Sequence, residues 1–585
     1  MSVEEIPEQA APMPRTLSIA LILALALAVA CGDDTAPVPS PDDAEPEPEA
    51  QPEGAPEAQP EPEAQPEGSQ EPEPEVNNAP GDPVLRIITT EGAVVGAFDG
   101  LAGVRSWRGI PYAAPPVGIG RWRAPGLPPV RDQALDATAP GPICPQAQAG
   151  SAGPGLVEDE DCLHLDIWAP PAEEGALPVM FWLHGGSFTS GSGSLGLYDG
   201  SSLARRGVVV VSINYRLGAL GFMAHDGLIG EDPEQPGTGN YGLLDQIAAL
   251  RWVRENIAAF GGDPRRVTIF GESAGAISAC ALMTSSLAEG LFSRVIMQSG
   301  FCALTIASTR EPRGETPPAV EQGRRIAGRL GCEGVDDPLA CMRAADVAAL
   351  RAASVGAFGQ PEVFEPSIDQ HVLTTAPGLA IFQGESHDVP LLLGTNADEG
   401  TIFVTGARLR TEAQLVDAIR ASFEPEIAEQ LIALYPASDY PSPQRALAAI
   451  FGDLVFVCPT RFAAARSAGH GRPTWLYHFT HETAFGRSRD LGVFHGSELA
   501  FVFGTLGSFI VPSREEVALS LQIQTLWTAF ASQGAPADEG LVWEAFDPIA
   551  DRGLELSADP AMLQGFRAPF CDYWEQILGL DDLED

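Results

Sequence analysis

The segment 260–275 contains the residues best suited to do chemistry in this chain. A short β-branched and apolar run, 267–270, leads into a G-x-S-x-G motif at 271–275, and a helical segment of small residues, 276–283, follows. This strand, turn and helix context is typical of a serine nucleophile held on a sharp, strained turn. Because a serine hydroxyl is a weak nucleophile, Ser273 requires a base and an oxyanion hole nearby.

A glycine-rich segment, 184–188, is the candidate oxyanion loop. It reads His-Gly-Gly-Ser-Phe and directly follows the apolar run 179–183. An oxyanion hole needs backbone N–H groups directed at the position where negative charge develops, and each donor lowers the barrier by about 3–4 kcal/mol. The predicted donors are Gly186 and Ser187, together with Ala274, which follows the nucleophile.

The base is expected among the histidines that follow the nucleophile, with an acid between them in chain order. Five of the nine histidines precede residue 390. His478 and His481 lie in a segment that resembles a strand, and His470 lies in a glycine-flanked turn. His495 lies in a loop able to present an imidazole, and it is therefore the predicted base.

The acid has two adjacent candidates, Asp398 and Glu399, which follow the apolar run 389–393. Either carboxylate would select one tautomer of the imidazole and stabilise the imidazolium that forms during catalysis. The residues alone leave both alternatives open. No spacing typical of metal ligands occurs in the chain, and neither a metal nor a cofactor is expected.

Several nearly continuous apolar runs predict a parallel sheet that is covered on both faces. These runs are 179–183, 208–213, 267–270, 294–298 and 389–393. Helical segments are predicted at 243–260 and 276–287, and two paired N-terminal strands at 85–90 and 93–98. We therefore predict one α/β domain over 83–585, with helical insertions in its second half.

The charge balance excludes one class of partner. The chain has 34 basic residues, all of them arginine, against 79 acidic ones, which gives a formal net charge of -45. No basic surface is available to neutralise phosphates, so nucleic-acid binding is not expected. The acidic field has two explanations: it disfavours anionic substrates and weakly favours neutral or cationic ones, or it is only an adaptation to solubility or salt, which is the preferred explanation.

The N-terminal segments predict export from the cell. An apolar run at 17–30 is too short to span a membrane and is typical of a signal peptide over 13–31. Because the acidic residues Glu4, Glu5 and Glu8 do not suit the basic start of a signal peptide, residues 1–12 are predicted to be extra residues before a start at Met13. The run ends in a sequence similar to a bacterial lipobox, with Cys31 as the lipidation site. The chain is thus expected to be anchored to the outer side of a bacterial membrane, or else secreted.

The segment 32–82 has the composition of a disordered linker. Proline, glutamate, alanine and glutamine dominate it, and it contains no basic and no aromatic residue. Such a segment buries too little apolar surface to offset the entropy lost on ordering. It is predicted to act as a spacer.

The chain resembles the type-B carboxylesterase and cholinesterase family of α/β-hydrolases over residues 84–585. The segments that carry the resemblance are 109–118, 160–167, 184–188, 260–275, 394–401 and 492–498. The resemblance implies an α/β-hydrolase fold and a serine esterase acting on small-molecule carboxylic esters. It implies Ser273 as the nucleophile, His495 as the base and Glu399, rather than Asp398, as the acid. Glu272 matches a family position thought to tune the electrostatics of the site.

The resemblance also implies three disulfides, Cys144–Cys162, Cys332–Cys341 and Cys458–Cys571. For Cys280 and Cys302 two alternatives remain open, a fourth disulfide or two small buried thiols.

Two departures from the family pattern bear on the substrate. Ser187 replaces the third glycine of the most open oxyanion loops, so bulky esters of tertiary alcohols are expected to fit poorly. The loop between Cys144 and Cys162 contains no aromatic residue, whereas cholinesterases place there a tryptophan that binds quaternary ammonium. A true cholinesterase is therefore not expected.

A non-catalytic adhesion or binding protein on the same fold is the alternative function. That alternative predicts the loss of the serine, the acid or the histidine, yet all three are present in this chain.

Overall fold

The computed structural model describes residues 85–578, except 148–154, 172–174, 304–305, 315, 356–361 and 509. The signal segment 13–31 with Cys31, the residues 1–12 before it and the linker 32–82 lie outside the described residues. Leu85, the first described residue, leads directly into the first strand.

Eleven of the described strands form one large sheet, in the spatial order β14-β13-β12-β11-β10-β9-β7-β8-β6-β4-β3, and β1, β2 and β5 form a small second sheet. The strands are β1 (Arg86–Thr89), β2 (Gly92–Val95), β3 (Ala97–Asp99), β4 (Val104–Pro111), β5 (Leu135–Asp136), β6 (His164–Ala169), β7 (Leu177–Leu183), β8 (Val209–Ile213), β9 (Gly262–Glu272), β10 (Arg294–Gln298), β11 (Leu391–Asn396), β12 (Thr474–Phe479), β13 (Arg552–Leu556) and β14 (Ala561–Gln564).

The middle of the large sheet is parallel and its edges are antiparallel. The neighbouring strands from β13 to β8 all run in one direction. At one edge β14 pairs antiparallel with β13, and at the other edge the pairs β8–β6, β6–β4 and β4–β3 are antiparallel. In the small sheet, β1 and β2 pair antiparallel, as the N-terminal sequence predicted. The predicted strand 93–98 is nevertheless divided, because β3 (Ala97–Asp99) pairs with β4 in the large sheet.

The described helices are α1 (Ser201–Ala204), α2 (Gly218–Phe222), α3 (Tyr241–Asn256), α4 (Ala274–Thr284), α5 (Val320–Arg329), α6 (Pro338–Ala344), α7 (Val347–Ala353), α8 (Pro377–Phe382), α9 (Glu412–Ser422), α10 (Pro425–Leu434), α11 (Pro443–Gly452), α12 (Cys458–Gly469), α13 (Ala484–Ser488), α14 (Leu499–Val502), α15 (Arg514–Gln533) and α16 (Ala568–Ile577). Helix α3 corresponds to the predicted helix 243–260 but ends four residues earlier, because the last turn tightens into a 3-10 segment, Ile257–Phe260.

Strand β7 shows why the central strands are apolar throughout. Val179 and Phe181 belong to the core on one face of the sheet, whereas Met180 and Trp182 belong to the core on the other face. Side chains alternate between the faces of a strand, so a strand buried on both sides needs apolar residues at every position. Helices α3 and α4 pack on the first face, and α15 packs on the second. The predicted architecture is confirmed.

The predicted helical insertions lie in two places, with α5 to α8 between β10 and β11 and α9 to α12 between β11 and β12. Helices α9 to α12 surround a third hydrophobic core of their own. A π-helical segment, Asp453–Val457, joins α11 to α12. The resulting run, Pro443–Gly469, is the one helix among the described residues long and apolar enough to cross a membrane, yet 83% of its apolar window is buried inside the protein. It has the character of a core helix.

Four disulfides join described cysteines: Cys144–Cys162, Cys280–Cys302, Cys332–Cys341 and Cys458–Cys571. They include the three pairings that the family resemblance implied. Cys280, on α4, pairs with Cys302, so of the two alternatives for these cysteines the structure contains the disulfide.

Candidate active site

Ser273 is the single residue between strand β9 and helix α4. Its φ of 54° and ψ of -122° lie outside the regions that side chains with a Cβ favour. Its N–H donates to the carbonyl of Gln298 at 3.0 Å, and its carbonyl accepts from the N–H of Ile277 at 3.0 Å. The strained turn predicted from the motif is therefore present, and hydrogen bonds on both sides hold it.

Glycine is required at both ends of this turn because the backbones meet closely. A Cβ at Gly275 would lie 1.9 Å from the carbonyl oxygen of Leu183, and one at Gly271 would lie 2.5 Å from the backbone of Gly275. A Cβ at Gly185 would lie 3.1 Å from that of Ser273. The glycine-rich loop thus reaches directly to the nucleophile turn.

The candidate oxyanion loop has an unusual backbone. Gly186, Ser187 and Phe188 adopt consecutive positive φ angles of 111°, 53° and 58°. The carbonyl of Gly186 accepts from the N–H of Ser190 at 3.0 Å. Within the described part of the chain, the N–H groups of Gly186, Ser187 and Ala274 donate to no acceptor. The three predicted donors therefore remain available for a ligand oxygen.

The imidazole of His495 is bound to one of the two candidate acids. Its Nδ1 lies 2.6 Å from Oε2 of Glu399. The other oxygen of Glu399 accepts from the N–H of Asn396 at 2.7 Å, and only 1% of the residue is exposed. A buried carboxylate in this position orients the ring and favours the tautomer with a proton on Nδ1.

Asp398 points away from the imidazole. It accepts from the N–H of Val493 at 2.8 Å and pairs with Arg445 at 2.7 Å. Its own N–H donates to the carbonyl of Val493 at 2.9 Å. Asp398 therefore ties the loop that carries the acid to the loop that carries His495, a role that the sequence did not indicate.

The second imidazole nitrogen faces Glu272. Nε2 of His495 lies 3.2 Å from Oε1 of Glu272 and makes no hydrogen bond with the described residues. Glu272 is 5% exposed and is covalently adjacent to Ser273. The nucleophile, the imidazole and Glu399 are thus brought into one neighbourhood.

Several carboxylates determine the protonation of this site. Burial opposes the charged form of His495, but the negative charges of Glu272 and Glu399 outweigh it and raise the pKa of the imidazole to about 9. Burial raises the pKa of Glu272 to about 8, and His495 opposes that rise. Because each group sets the charge that the other experiences, the two titrations are coupled.

Further groups around the imidazole were not found from the sequence. The rings of Phe456 and Phe403 lie 4.5 and 5.2 Å from the ring of His495. Both residues belong to the helical half of the domain, and no local pattern marks them. Glu498, within the segment that carries the base, is buried and accepts from Asn396 at 2.6 Å and from Gln298 at 3.0 Å.

The other late histidines lie away from this cluster. His478 packs against the ring of Phe566 at 3.6 Å, and Nε2 of His481 lies 3.5 Å from Glu516. Nε2 of His470 is 2.9 Å from the carbonyl oxygen of Phe382.

Comparison with protein families matches residues 83–574 to the Carboxylesterase family. Among curated proteins, the para-nitrobenzyl esterase of Bacillus subtilis (strain 168) is 38% identical over 500 residues, covering 81% of this chain and 96% of the relative. The fumonisin B1 esterase of Sphingopyxis macrogoltabida is 36% identical over 482 residues, covering 77% and 83%. Neuroligin-3 of Mus musculus is 31% identical over 563 residues, covering 82% and 66%.

Solved structures give the same relationship. A PNB esterase superposes with a TM-score of 0.71 at 35% identity, and a thermophilic PNB esterase with a TM-score of 0.72 at 34% identity. Each comparison covers 84% of this chain and 99% of the other chain.

Proposed function

We propose, from the premise that this chain belongs to the carboxylesterase family, that it hydrolyses carboxylic esters through an acyl-enzyme formed on Ser273. Ester hydrolysis follows from the family and its esterase relatives. The observation that best supports the residue roles is the contact of 2.6 Å between His495 and Glu399, made beside the strained turn of the nucleophile.

In the acylation step, Oγ of Ser273 attacks the carbonyl carbon of the ester while Nε2 of His495 takes its proton. Glu399 stabilises the imidazolium that forms. The developing oxyanion accepts hydrogen bonds from the N–H groups of Gly186, Ser187 and Ala274, which need no reorganisation because they have no other acceptor among the described residues. The imidazolium then protonates the departing alcohol as the tetrahedral intermediate collapses to the acyl-enzyme.

In the deacylation step, the same imidazole removes a proton from water, which attacks the acyl carbon. A second oxyanion forms at the same three donors. Its collapse breaks the bond to Oγ of Ser273, returns the proton to the serine and releases the carboxylic acid. The substrate class that fits is a small-molecule ester, as the names of the bacterial and fumonisin relatives indicate for those proteins.

A non-catalytic binding protein is the competing function, and the similarity to neuroligin-3 gives it some support. Against it stand the contact between Glu399 and His495 and the three N–H groups that have no acceptor within the described part of the protein. A surface that serves only adhesion needs neither feature.

The decisive experiment compares wild type with Ser273→Ala on p-nitrophenyl butyrate, and maps a fluorophosphonate label by mass spectrometry. Ser285→Ala is the matched control, since Ser285 follows the same helix and its buried hydroxyl has no hydrogen-bond partner in the ranges that the structure describes. We expect Ser273→Ala to lose at least about 10⁴-fold in kcat and all labelling. Equal rates in Ser273→Ala and wild type would refute the proposal.

We also propose that the protein is exported and carries a lipid on Cys31, which anchors it through the linker 32–82 to the outer side of a bacterial membrane. The support is the apolar run 17–30 followed by Cys31. Metabolic labelling with palmitate, in wild type and in Cys31→Ser, tests this. Incorporation that persists in Cys31→Ser, or that is absent from wild type, argues against the anchor.

A further inference from the structure

A small apolar cavity beside the nucleophile helix contains a single carboxylate. Its volume is about 20 Å³, enough for one water molecule or one small polar group. Phe188, Ile277, Ala281 and Phe301 contribute apolar walls, and Glu365 is the one titratable or charged side chain among the described lining residues.

The cavity adjoins the catalytic site on two sides. Phe188 directly follows Ser187 in the oxyanion loop, and the N–H of Ile277 donates to the carbonyl of Ser273 at 3.0 Å. On the third side, Phe301 packs against Phe456 with ring centroids 6.5 Å apart, and Phe456 in turn contacts the imidazole of His495. The walls of the cavity are therefore contiguous with the nucleophile turn, the oxyanion loop and the aromatic contact of the imidazole.

The walls of this cavity are cross-linked. The disulfide Cys280–Cys302 joins residues that directly precede the lining residues Ala281 and Ala303. The spacing between helix α4 and the segment after β10 is thereby held, so the cavity is preorganised rather than formed on binding.

The carboxylate of Glu365 makes no hydrogen bond or ion pair with the described residues. Glu362, three residues earlier, provides the contrast, since it pairs with Arg325 at 2.7 Å and with Arg329 at 2.7 Å. Loss of solvation by the apolar surroundings raises the pKa of Glu365 to about 7. Placing an unpaired carboxylate among apolar side chains is costly, and structures usually supply a partner. Glu365 retains partial exposure, so a ligand can reach it.

We propose that Glu365 binds a protonated amino group on the ester substrate, so that the enzyme prefers amine-bearing esters to neutral esters of the same shape. This inference rests on the proposed function, because it assigns specificity to the site at Ser273. A primary ammonium is compact, donates up to three hydrogen bonds and fits the volume. The net charge of -45 also raises the local concentration of cations around the protein.

The test uses two isosteric pairs of esters. Ethyl 6-aminohexanoate is compared with ethyl heptanoate, which places the ammonium on the acyl side. 6-Aminohexyl acetate is compared with heptyl acetate, which places it on the alcohol side. The readout is the ratio of kcat/KM for the amino ester to that for its neutral partner, because changes in overall activity cancel from this ratio.

The variant is Glu365→Gln, which keeps the shape of the side chain and removes its charge. Glu311→Gln, on an exposed residue, controls for the loss of one negative charge. We expect the ratio to fall about 10- to 100-fold in Glu365→Gln for one of the two pairs of esters, and to stay unchanged in Glu311→Gln. The pair that responds identifies whether the ammonium lies on the acyl side or on the alcohol side of the ester. A ratio equal in wild type and Glu365→Gln for both pairs would overturn the inference.

The pH dependence of the same ratio gives a second readout. The alkylamine stays protonated while Glu365 loses its proton between about pH 6 and pH 8, so the wild-type ratio should rise over this range. The titration of His495 acts on both esters of a pair and leaves the ratio unaffected. A ratio that is flat with pH contradicts the role of Glu365.

Failure of this inference can be told apart from failure of the proposed function. If wild type hydrolyses ethyl heptanoate and Ser273→Ala does not, the esterase assignment holds whatever the amino ester shows. If neither hydrolyses it, binding of hexylammonium by calorimetry still tests the site. Binding at least tenfold weaker in Glu365→Gln supports the inference, whereas equal or absent binding overturns it.

Discussion

Oε1 of Glu272 lies 3.2 Å from Nε2 of His495, the nitrogen that would receive the proton of the nucleophile. The imidazole is thus placed between two buried carboxylates, since Glu399 contacts its Nδ1. An imidazolium formed during catalysis is stabilised from both sides. The same two carboxylates raise the pKa of the imidazole in the resting enzyme. The two carboxylates therefore stabilise the imidazolium that catalysis needs, but they also reduce the fraction of His495 that is unprotonated and able to act as the base.

The first prediction concerns pH. The base must be unprotonated, so kcat/KM should decline as the pH falls through a midpoint well above the ordinary imidazole pKa of 6.5, because the pKa of His495 is raised to about 9. Glu272→Gln removes a negative charge that raises this pKa, and the midpoint should move about 1–3 units toward lower pH. A midpoint that stays in place, or moves toward higher pH, would show that Glu272 does not set the protonation of the base.

The second prediction separates the two adjacent acids. Glu399→Gln should lower kcat by about 10⁴-fold, because an amide cannot stabilise the imidazolium and permits the wrong tautomer. Asp398→Asn should cost far less, since Asp398 bonds to Arg445 and to the N–H of Val493 instead of the imidazole. Single-turnover rates on p-nitrophenyl butyrate measure both. A larger loss in Asp398→Asn than in Glu399→Gln would reverse the assignment.

The third prediction concerns the oxyanion loop. Ser187→Gly should increase the rate on tert-butyl acetate relative to ethyl acetate, because it opens the loop and because glycine tolerates the φ of 53° without strain. Gly186→Ala should instead lower kcat by about 10²- to 10³-fold, since its Cβ would lie 2.2 Å from the carbonyl oxygen of Ser190 and displace a donor. An unchanged preference in Ser187→Gly would place the steric limit elsewhere in the site.

The fourth prediction compares two disulfides. Cys458–Cys571 closes a loop of 113 residues and Cys332–Cys341 one of 9 residues. In the chain-entropy model, replacing the first pair with serine lowers the free energy of unfolding by about 5 kcal/mol and replacing the second lowers it by about 3 kcal/mol. Urea titrations of the two double variants measure the difference. A greater loss from the short loop would mean that native packing, and not chain entropy, dominates.

The nucleophile turn, the oxyanion loop and the central strands were predictable from the sequence because each depends on neighbouring residues. Glycines at 271 and 275 and serine between them encode the sharp turn within a few positions. Apolar residues at every position of β7 encode burial on both faces. The helix that follows the turn begins at Ala274, two residues earlier than predicted, because the turn itself is only one residue long.

Contacts between distant segments depended on the tertiary structure. Asp398 and Glu399 are chemically similar neighbours that the residues alone do not separate. The family resemblance implied Glu399, and the folded chain shows its contact with His495, ninety-six positions further along. The pairing of Cys280 with Cys302, and the position of Glu365 among apolar side chains, also depend on contacts between distant segments. Local sequence determines how a backbone turns and which residues are buried, whereas the direction in which a side chain points, and what it meets there, follows from the packing of the whole domain.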